Sequence, residues 1–447
     1  MNSEKLAFSS YALYKNSGVE WLGQVPEHWE EKRIKDITIL ERGKFTHRPR
    51  NDPQMYDGGY PFIQTGDVAR AKKYITEYKQ TLSNKGILVS KKFKQGTLLM
   101  TIAANIGDVA IVSFDTYFPD SIVGFIPLKN INYLYLFYLF SATRAELNKI
   151  KITSTQDNLN LERLNSLSRF IPPLPEQKAI ADYLDQKTAQ IDHEIDLLSK
   201  KTALYSNLKQ SLINETVTRG LDKNVALKDS GVEWLGQVPE HWQVELVKRN
   251  LSLLTDYTAN GSFASLAENV QYQDDGYARL VRLTDLRLSL KNDGLYVSES
   301  AYNFLSKTKL FGGEILIANV GANTGLVVKV PPIDTPATLA PNMFLVGFNS
   351  RINSDFISYQ LNSLFGYGQF QMQITSSAQP KLNKDNLRAV YITFPPLSEQ
   401  KAIADYLDQK TAQIDSMVSA IGRKIATLQE LRKTLINDVV TGQIKVI

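Results

Sequence analysis

The residues whose types could do chemistry are few, and their spacing argues against it. Glu176-Gln177-Lys178 and Glu399-Gln400-Lys401 share the Glu-x-Lys spacing of half a nuclease site. Neither has an acidic partner on a preceding strand, and each is better read as the opening of a helix, with glutamate facing the positive end of the helix dipole. Asp52-Pro53-Gln54-Met55 approaches the catalytic turn of a DNA methyltransferase but fails at the second proline, and the Pro-Pro-Leu turns at 172 and 395 lack the preceding acidic or amide residue. A Phe-x-Gly-x-Gly cofactor loop, a P-loop and a dinucleotide fingerprint are all absent from the sequence. The four histidines, His28, His47, His193 and His241, stand at no metal-ligand spacing, and there is no cysteine. Neither a catalytic nor a metal site is therefore expected, and the chain reads as a non-enzyme. Trp21, Trp29, Trp234 and Trp242 are expected as packed joints, where a large apolar area is useful.

What must be positioned becomes clear from an internal repeat, the first thing to seek in a chain of 447 residues. Ser-Gly-Val-Glu-Trp-Leu-Gly-Gln-Val-Pro-Glu-His-Trp runs from Ser17 to Trp29 and returns unchanged from Ser230 to Trp242. Pro-Pro-Leu-Pro-Glu-Gln-Lys-Ala-Ile-Ala-Asp-Tyr-Leu-Asp-Gln-Lys-Thr-Ala-Gln-Ile-Asp runs from Pro172 and returns from Pro395 with one change, Pro175 to Ser398. Between these blocks the two halves diverge almost completely. The division is a joint at 1–29, a variable domain at 30–171, a central region at 172–242 with a long helix and a second joint, a variable domain at 243–394, and a final helix at 395–447.

Both repeated helices carry a heptad. Leu184, Thr188, Ile191, Ile195, Leu198, Thr202, Tyr205, Lys209 and Leu212 step by four and three, and Leu407, Thr411, Ile414, Val418, Ile421, Ile425, Leu428, Arg432 and Leu435 do the same. Two helices of about forty residues with one shared seam are expected to pair with each other as a rod roughly 60 Å long. The variable domains read as mixed α and β, giving an α+β fold: short β-branched runs such as Thr97–Ala103, Val109–Phe114, Glu314–Val320, Leu326–Val330 and Met343–Phe348 are separated by glycine turns. Faint kinship links them, as in Asn105-Ile106-Gly107 against Asn323-Thr324-Gly325.

Charge is uneven. The segment 30–171 carries 21 Lys and Arg against 14 Asp and Glu, whereas 243–394 carries 13 against 12, so positive charge suited to a polyanion collects in the first variable domain. With no cysteine, no signal-like start and no apolar run of bilayer length, the expected location is the cytoplasm, with no membrane partner.

The repeated Pro-Pro-Leu-x-Glu-Gln helix start, the Gly-Val-Glu-Trp-Leu-Gly-x-Val-Pro-x-His-Trp joint and the Leu-Ile-Asn-x-x-Val-Thr endings at Leu212 and Leu435 closely resemble the specificity subunit of type I restriction-modification systems, over essentially the whole chain. The resemblance implies two target recognition domains that each read half of an interrupted site in double-stranded DNA, held apart by an antiparallel coiled coil of the conserved helices in a pseudo-twofold arrangement. It implies two modification subunits that carry S-adenosylmethionine, and restriction subunits that join them, with no cofactor in this chain. The expected DNA-binding residues are polar and basic groups near the shared turns: Lys44, Arg48, Arg50, Gln64, Thr65, Arg70, Lys72, Lys73 and Asn105 in the first domain, and Arg279, Arg282, Thr284, Arg287, Asn319, Asn323, Gln379 and Lys381 in the second. A coiled-coil adaptor without DNA and a stand-alone methyltransferase are the alternatives, separable by a gel shift at varied salt and by a methyl-transfer assay on the pure chain.

Overall fold

The computed structural model describes residues 10–19, 22–103, 106–150, 161–374 and 379–446. The chain divides into two compact units, Met1–Ser199 with Gly422–Ile447, and Lys200–Ile421. Two long helices, Leu174–Arg219 and Leu397–Val440, pass from one unit into the other.

The first unit contains a five-stranded sheet in the order Thr38–Arg42, Ile122–Pro127, Leu98–Thr101, Val109–Val112 and Tyr74–Ile75. Its central strand, Leu98-Leu99-Met100-Thr101, is buried at every position, as a strand covered on both faces requires. A second, four-stranded sheet runs Gln80–Leu82, Tyr56–Phe62, Thr116–Tyr117 and Lys92–Phe93. The apolar run at 131–140 enters the helix Tyr133–Ile150, and Tyr135 to Phe140 are all buried in the core that also takes in Ile180, Leu184, Leu435 and Val439. The Tyr138 hydroxyl donates to Asp185 and lies 3.1 Å from the Thr188 hydroxyl, tying this helix to the first long helix.

The second unit repeats the strand order, with four strands in place of five in the first sheet. Leu251–Asp256, Met343–Phe348, Ile315–Ala318 and Val327–Lys329 form one sheet, and Leu295–Val297, Ala278–Val281, Ala337–Leu339 and Lys309–Leu310 the other. Its helix Ser354–Asn362 buries Phe356, Ile357, Gln360 and Leu361, while Tyr359 donates to Asp408 at 2.6 Å and meets Thr411 at 3.2 Å. Burial and the neighbouring Asp408 carboxylate push the Tyr359 phenol up to about 12. The β-rich stretches expected from sequence are thus strands, and the sheet order common to both units is what their faint kinship preserves.

Each variable segment begins and ends in one antiparallel strand pair. Glu30–Arg33 pairs with Ser168–Ile171, placing Glu30 opposite Ile171, and Gln243–Leu246 pairs with Tyr391–Phe394, placing Gln243 opposite Phe394. Immediately after each comes a Glu-Gln helix start whose glutamine is fully engaged. Gln177 accepts from the Asn132 N–H at 2.8 Å and donates to the carbonyls of Pro172 at 2.9 Å and Asn130 at 3.3 Å. Gln400 accepts from the Asn353 N–H at 2.8 Å and donates to Pro395 at 2.9 Å and Arg351 at 3.0 Å.

The glutamates serve the joints. Glu176 accepts from the Tyr11 hydroxyl at 2.6 Å and the Trp29 indole at 3.1 Å, and lies 2.7 Å from His28. Glu399 lies 2.8 Å from His241. Trp29 and Trp242 are completely buried, Trp234 is half-exposed against Phe365, and Trp21 lies outside the described residues. The first long helix stops at Gly220, whose φ of +77° provides the left-handed residue of a helix end and whose N–H returns to the Thr216 carbonyl at 3.0 Å.

Exposure along the long helices follows the heptad. Leu184, Leu407, Ile414, Leu428 and Leu435 are buried, while Ile191, Ile195, Leu198, Leu212, Val418, Ile421 and Ile425 are half-buried. Off the seam, Leu197, Leu204, Leu208, Met417 and Leu431 are exposed. In the first unit Asp192 pairs with Arg432 at 3.0 Å and Glu194 with Lys424 at 2.6 Å; in the second, Lys209 pairs with Asp415 at 2.6 Å.

Candidate nucleic-acid interface

The sequence-predicted basic residues sort into those the fold uses and those it leaves available. In the first unit Gln64 precedes the helix Thr65–Arg70, forms a capping box with Asp67 and donates to Gln80 at 2.8 Å, so its amide fixes a turn. Arg70 pairs with that same Asp67. Lys73 is 2.8 Å from Asp185 and sits over the Tyr74 ring, a structural tie to the long helix. Arg50 holds both oxygens of Asp120, at 2.7 and 3.0 Å, and Arg48 turns back on the carbonyls of His47 and Phe45. Lys44 and Lys72 are exposed, with no ion pair among the described residues, and Thr65 lies half-buried in the first turn of its helix. Asn105 falls outside the described residues. Arg70 and Lys72 come together in a recess of about 480 Å³ with Tyr74, Tyr78 and Lys79.

In the second unit the counterpart helix Leu283–Arg287 is capped from Arg282, whose guanidinium meets Asp285 at 2.9 and 2.8 Å. Burial alone would raise the Asp285 carboxyl. Hydrogen bonds from the Arg282 side chain, from Asn292 and from the Arg282 N–H outweigh it and hold the carboxyl below the usual carboxylate range. Arg279 donates to the carbonyls of Leu290 at 2.8 Å and Asn292 at 3.0 Å, closing the loop beyond that helix. Arg279 and Arg282 therefore spend their charge inside the domain. Thr284 and Lys381 are exposed, and Gln379 stands on the surface just beyond the undescribed 375–378. Arg287 reaches Asn323 at 2.5 Å, so these two candidates form one polar group. Asn319 and Lys381 come together in a recess of about 730 Å³.

The same recess contains residues that sequence reasoning missed: Phe263, Tyr272 and Asn342. Asn342 carries a φ of +71°, unusual outside glycine, in the turn before strand Met343–Phe348. A Pro-Asn dipeptide is a turn signal, but nothing in the sequence says that this turn meets Phe263 nearly eighty positions away. Among the described residues no group of three histidines and carboxylates could hold a metal ion, and no helix is long and apolar enough to cross a membrane.

Known proteins match this layout. The family described as type I restriction modification DNA specificity domain matches residues 26–200 and again 260–425. The type I restriction enzyme MjaVIII specificity subunit of Methanocaldococcus jannaschii is 23% identical over 438 residues, 95% of this chain and 94% of that protein. The EcoKI specificity subunit of Escherichia coli is 20% identical over 441 residues, 94% and 90% of the two chains. Among solved structures, a chain from a study of complex assembly and conformational transition of the type I R-M system superposes with a TM-score of 0.71 at 15% identity, covering 93% of this chain and 98% of that one. The HsdS subunit from Thermoanaerobacter tengcongensis gives 0.53 at 16% identity, covering 94% and 98%. At such identities the structural likeness establishes the fold.

Proposed function

The chain belongs to the type I restriction-modification DNA specificity family, and from that premise we propose that it is the specificity subunit of such a system, the component that gives a methyltransferase and endonuclease complex its DNA address. The observation that carries this reading is the double match of the DNA specificity domain, each copy running through the same Pro-Pro-Leu-x-Glu-Gln helix start into a long helix. Each variable domain, 30–171 and 243–394, reads one half of a bipartite target. Loops on a fixed frame suit that task, because phosphate contacts set register while side chains in the groove discriminate bases.

The conserved helices form the frame as an antiparallel coiled coil that sets the spacer between half-sites. Support comes from the graded exposure along the heptad and from the sense of the ion pairs, in which 192 and 194 meet 432 and 424. Exposed pairs of this kind contribute little energy, but they select register and orientation. The repeat of joints and helices gives the subunit a pseudo-twofold arrangement, with two similar surfaces for two modification subunits. Those partners supply S-adenosylmethionine and the methyl transfer to adenine, and restriction subunits add cleavage. This chain is non-catalytic: its Glu-x-Lys motifs are absorbed by the joints, where Glu176 already receives Tyr11 and Trp29.

The test is methyl transfer to a DNA library by the purified chain, by the modification subunits, and by both together. Transfer at one bipartite motif is expected for the mixture and for neither component alone. Robust transfer by the chain alone would refute the reading.

A further inference from the structure

The recess of the second unit opens where the strands Leu251–Asp256, Ile315–Ala318 and Met343–Phe348 end or begin, and Asn319 forms part of its lining. The backbone of Asn319 is fixed from both sides: its N–H donates to the Asn342 carbonyl at 3.1 Å, and its carbonyl accepts from the Leu382 N–H at 2.9 Å. Its side chain is uncommitted. The amide oxygen is buried and has no hydrogen-bond partner among the described residues. Folded proteins rarely leave such an atom unpaired, and one that is left unpaired calls for a reason. Other asparagines of this unit are employed, Asn353 and Asn383 as helix caps and Asn362 across to Val327.

The rim supplies the rest of a binding site. Phe263 is 83% exposed, an apolar ring left in water beside a polar floor. Tyr272 is half-exposed and shares a hydrogen bond with Tyr257, whose phenol burial pushes well above its ordinary range. Lys384 is occupied by Asp256 at 3.0 Å, whereas Lys381 has no ion pair among the described residues.

We propose that this recess receives the major-groove edge of one adenine in the second half-site, with Asn319 bonding N6 and N7 and Lys381 holding an adjoining phosphate. The assignment rests on the reading of the chain as a DNA specificity subunit. A side-chain amide presents one donor and one acceptor side by side, and in the major groove adenine presents the matching amine and ring nitrogen, which makes Asn with adenine a recurrent bidentate pair. Turning the Asn319 amide to bring its oxygen to the mouth breaks no hydrogen bond among the described residues. Phe263 at the rim suits the methyl group of a neighbouring thymine.

The test uses the full chain reconstituted with its modification subunits on a randomised DNA library, comparing wild type, Asn319→Ala and Phe263→Ala by the motif methylated. The Asn319 amide holds nothing in the fold and Phe263 is exposed, so both variants keep the wild-type melting temperature. Asn319→Ala is expected to accept other bases at one adenine of the second half-site, with discrimination there falling about tenfold to a hundredfold. Phe263→Ala is expected to weaken binding to targets carrying that half-site, and the first half-site stays strict in both. Full wild-type strictness and affinity in both variants, or loosening at a position of the first half-site, would overturn the assignment. A wild-type complex that marks no defined motif would instead overturn the reading of the chain as a specificity subunit, and this assignment with it.

Discussion

Replacing Gln400 with alanine removes three hydrogen bonds from a residue that is completely buried. The lost bonds run to the Asn353 N–H at 2.8 Å and to the Pro395 and Arg351 carbonyls at 2.9 and 3.0 Å. At about 1 kcal/mol net for each bond, the loss is roughly 3 kcal/mol, and a buried N–H left unpaired carries its own cost. In a unit of this size each kcal/mol moves the melting temperature by about 2–4 °C, so a fall of roughly 6–12 °C is expected. Hydrogen exchange localises the effect: the amides of Phe356 and Ile357, in the first turn of the helix that Asn353 caps, should lose protection before those of the central strand Ile315–Ala318. Gln400→Glu sharpens the test. It keeps an acceptor for Asn353 but points a carboxylate at two carbonyl oxygens, so burial raises its folded pKa above the unfolded value. Its stability is then fully present below the unfolded carboxylate pKa and is lost as pH rises through the folded one. A shift under about 2 °C for Gln400→Ala, or a Gln400→Glu variant with the same penalty at pH 4 and pH 7, would refute the claim that this amide clamps the domain to its helix.

Exchanging residues 30–171 for another recognition domain should change one half of the methylated motif and leave the other intact; methylation sequencing before and after decides, and joint change of both halves would deny independence. Asp285→Asn should lower the melting temperature at neutral pH, because the carboxyl is held below its usual range by Arg282 and Asn292 despite burial. Such a depressed group contributes above the unfolded carboxylate pKa and loses its contribution as pH falls through the folded value, so wild type and variant should converge on acidification, as calorimetry at several pH values would show. Four residues inserted between Leu198 and Tyr205 lengthen a continuous helix by about 6 Å, which should widen the spacer of the methylated motif by one or two base pairs without altering the bases; a stutter in the heptad will reduce activity, but an unchanged spacer in an active complex would defeat the ruler.

The repeated blocks and the heptad were legible because a period repeats its own signal: Leu184, Ile414 and Leu428 are buried where a four-three rhythm places them. The strands were legible for a similar reason, since the run from Leu98 to Thr101 is apolar on both faces and buried on both. The joint tryptophans divide: Trp29 and Trp242 are packed as expected, and Trp234 keeps nearly half its surface. The candidate readers were harder, because a positive charge in the sequence does not say where it is spent. Arg279 meets carbonyls eleven and thirteen positions on, and Lys73 meets an aspartate on a helix more than a hundred residues later. Asn319 and Lys381 were legible singly as candidates, but the recess was not: it exists where they converge with Phe263 and Asn342, and no local pattern announces convergence over such separations.

The strand pairs that set Glu30 against Ile171 and Gln243 against Phe394 make each recognition domain a plug with both pins side by side. Whatever lies between two adjacent pins enters and leaves the scaffold at one point, so the socket does not register how long the insert is. The ten extra residues of the second domain are absorbed this way, and the entropy of closing so long a loop changes only logarithmically with its length. Because the amino-acid strings around the two sockets are nearly identical, a domain shaped for one socket already carries the pins for the other. A recognition domain moved from one socket to the other is therefore expected to seat there with its strand pair intact.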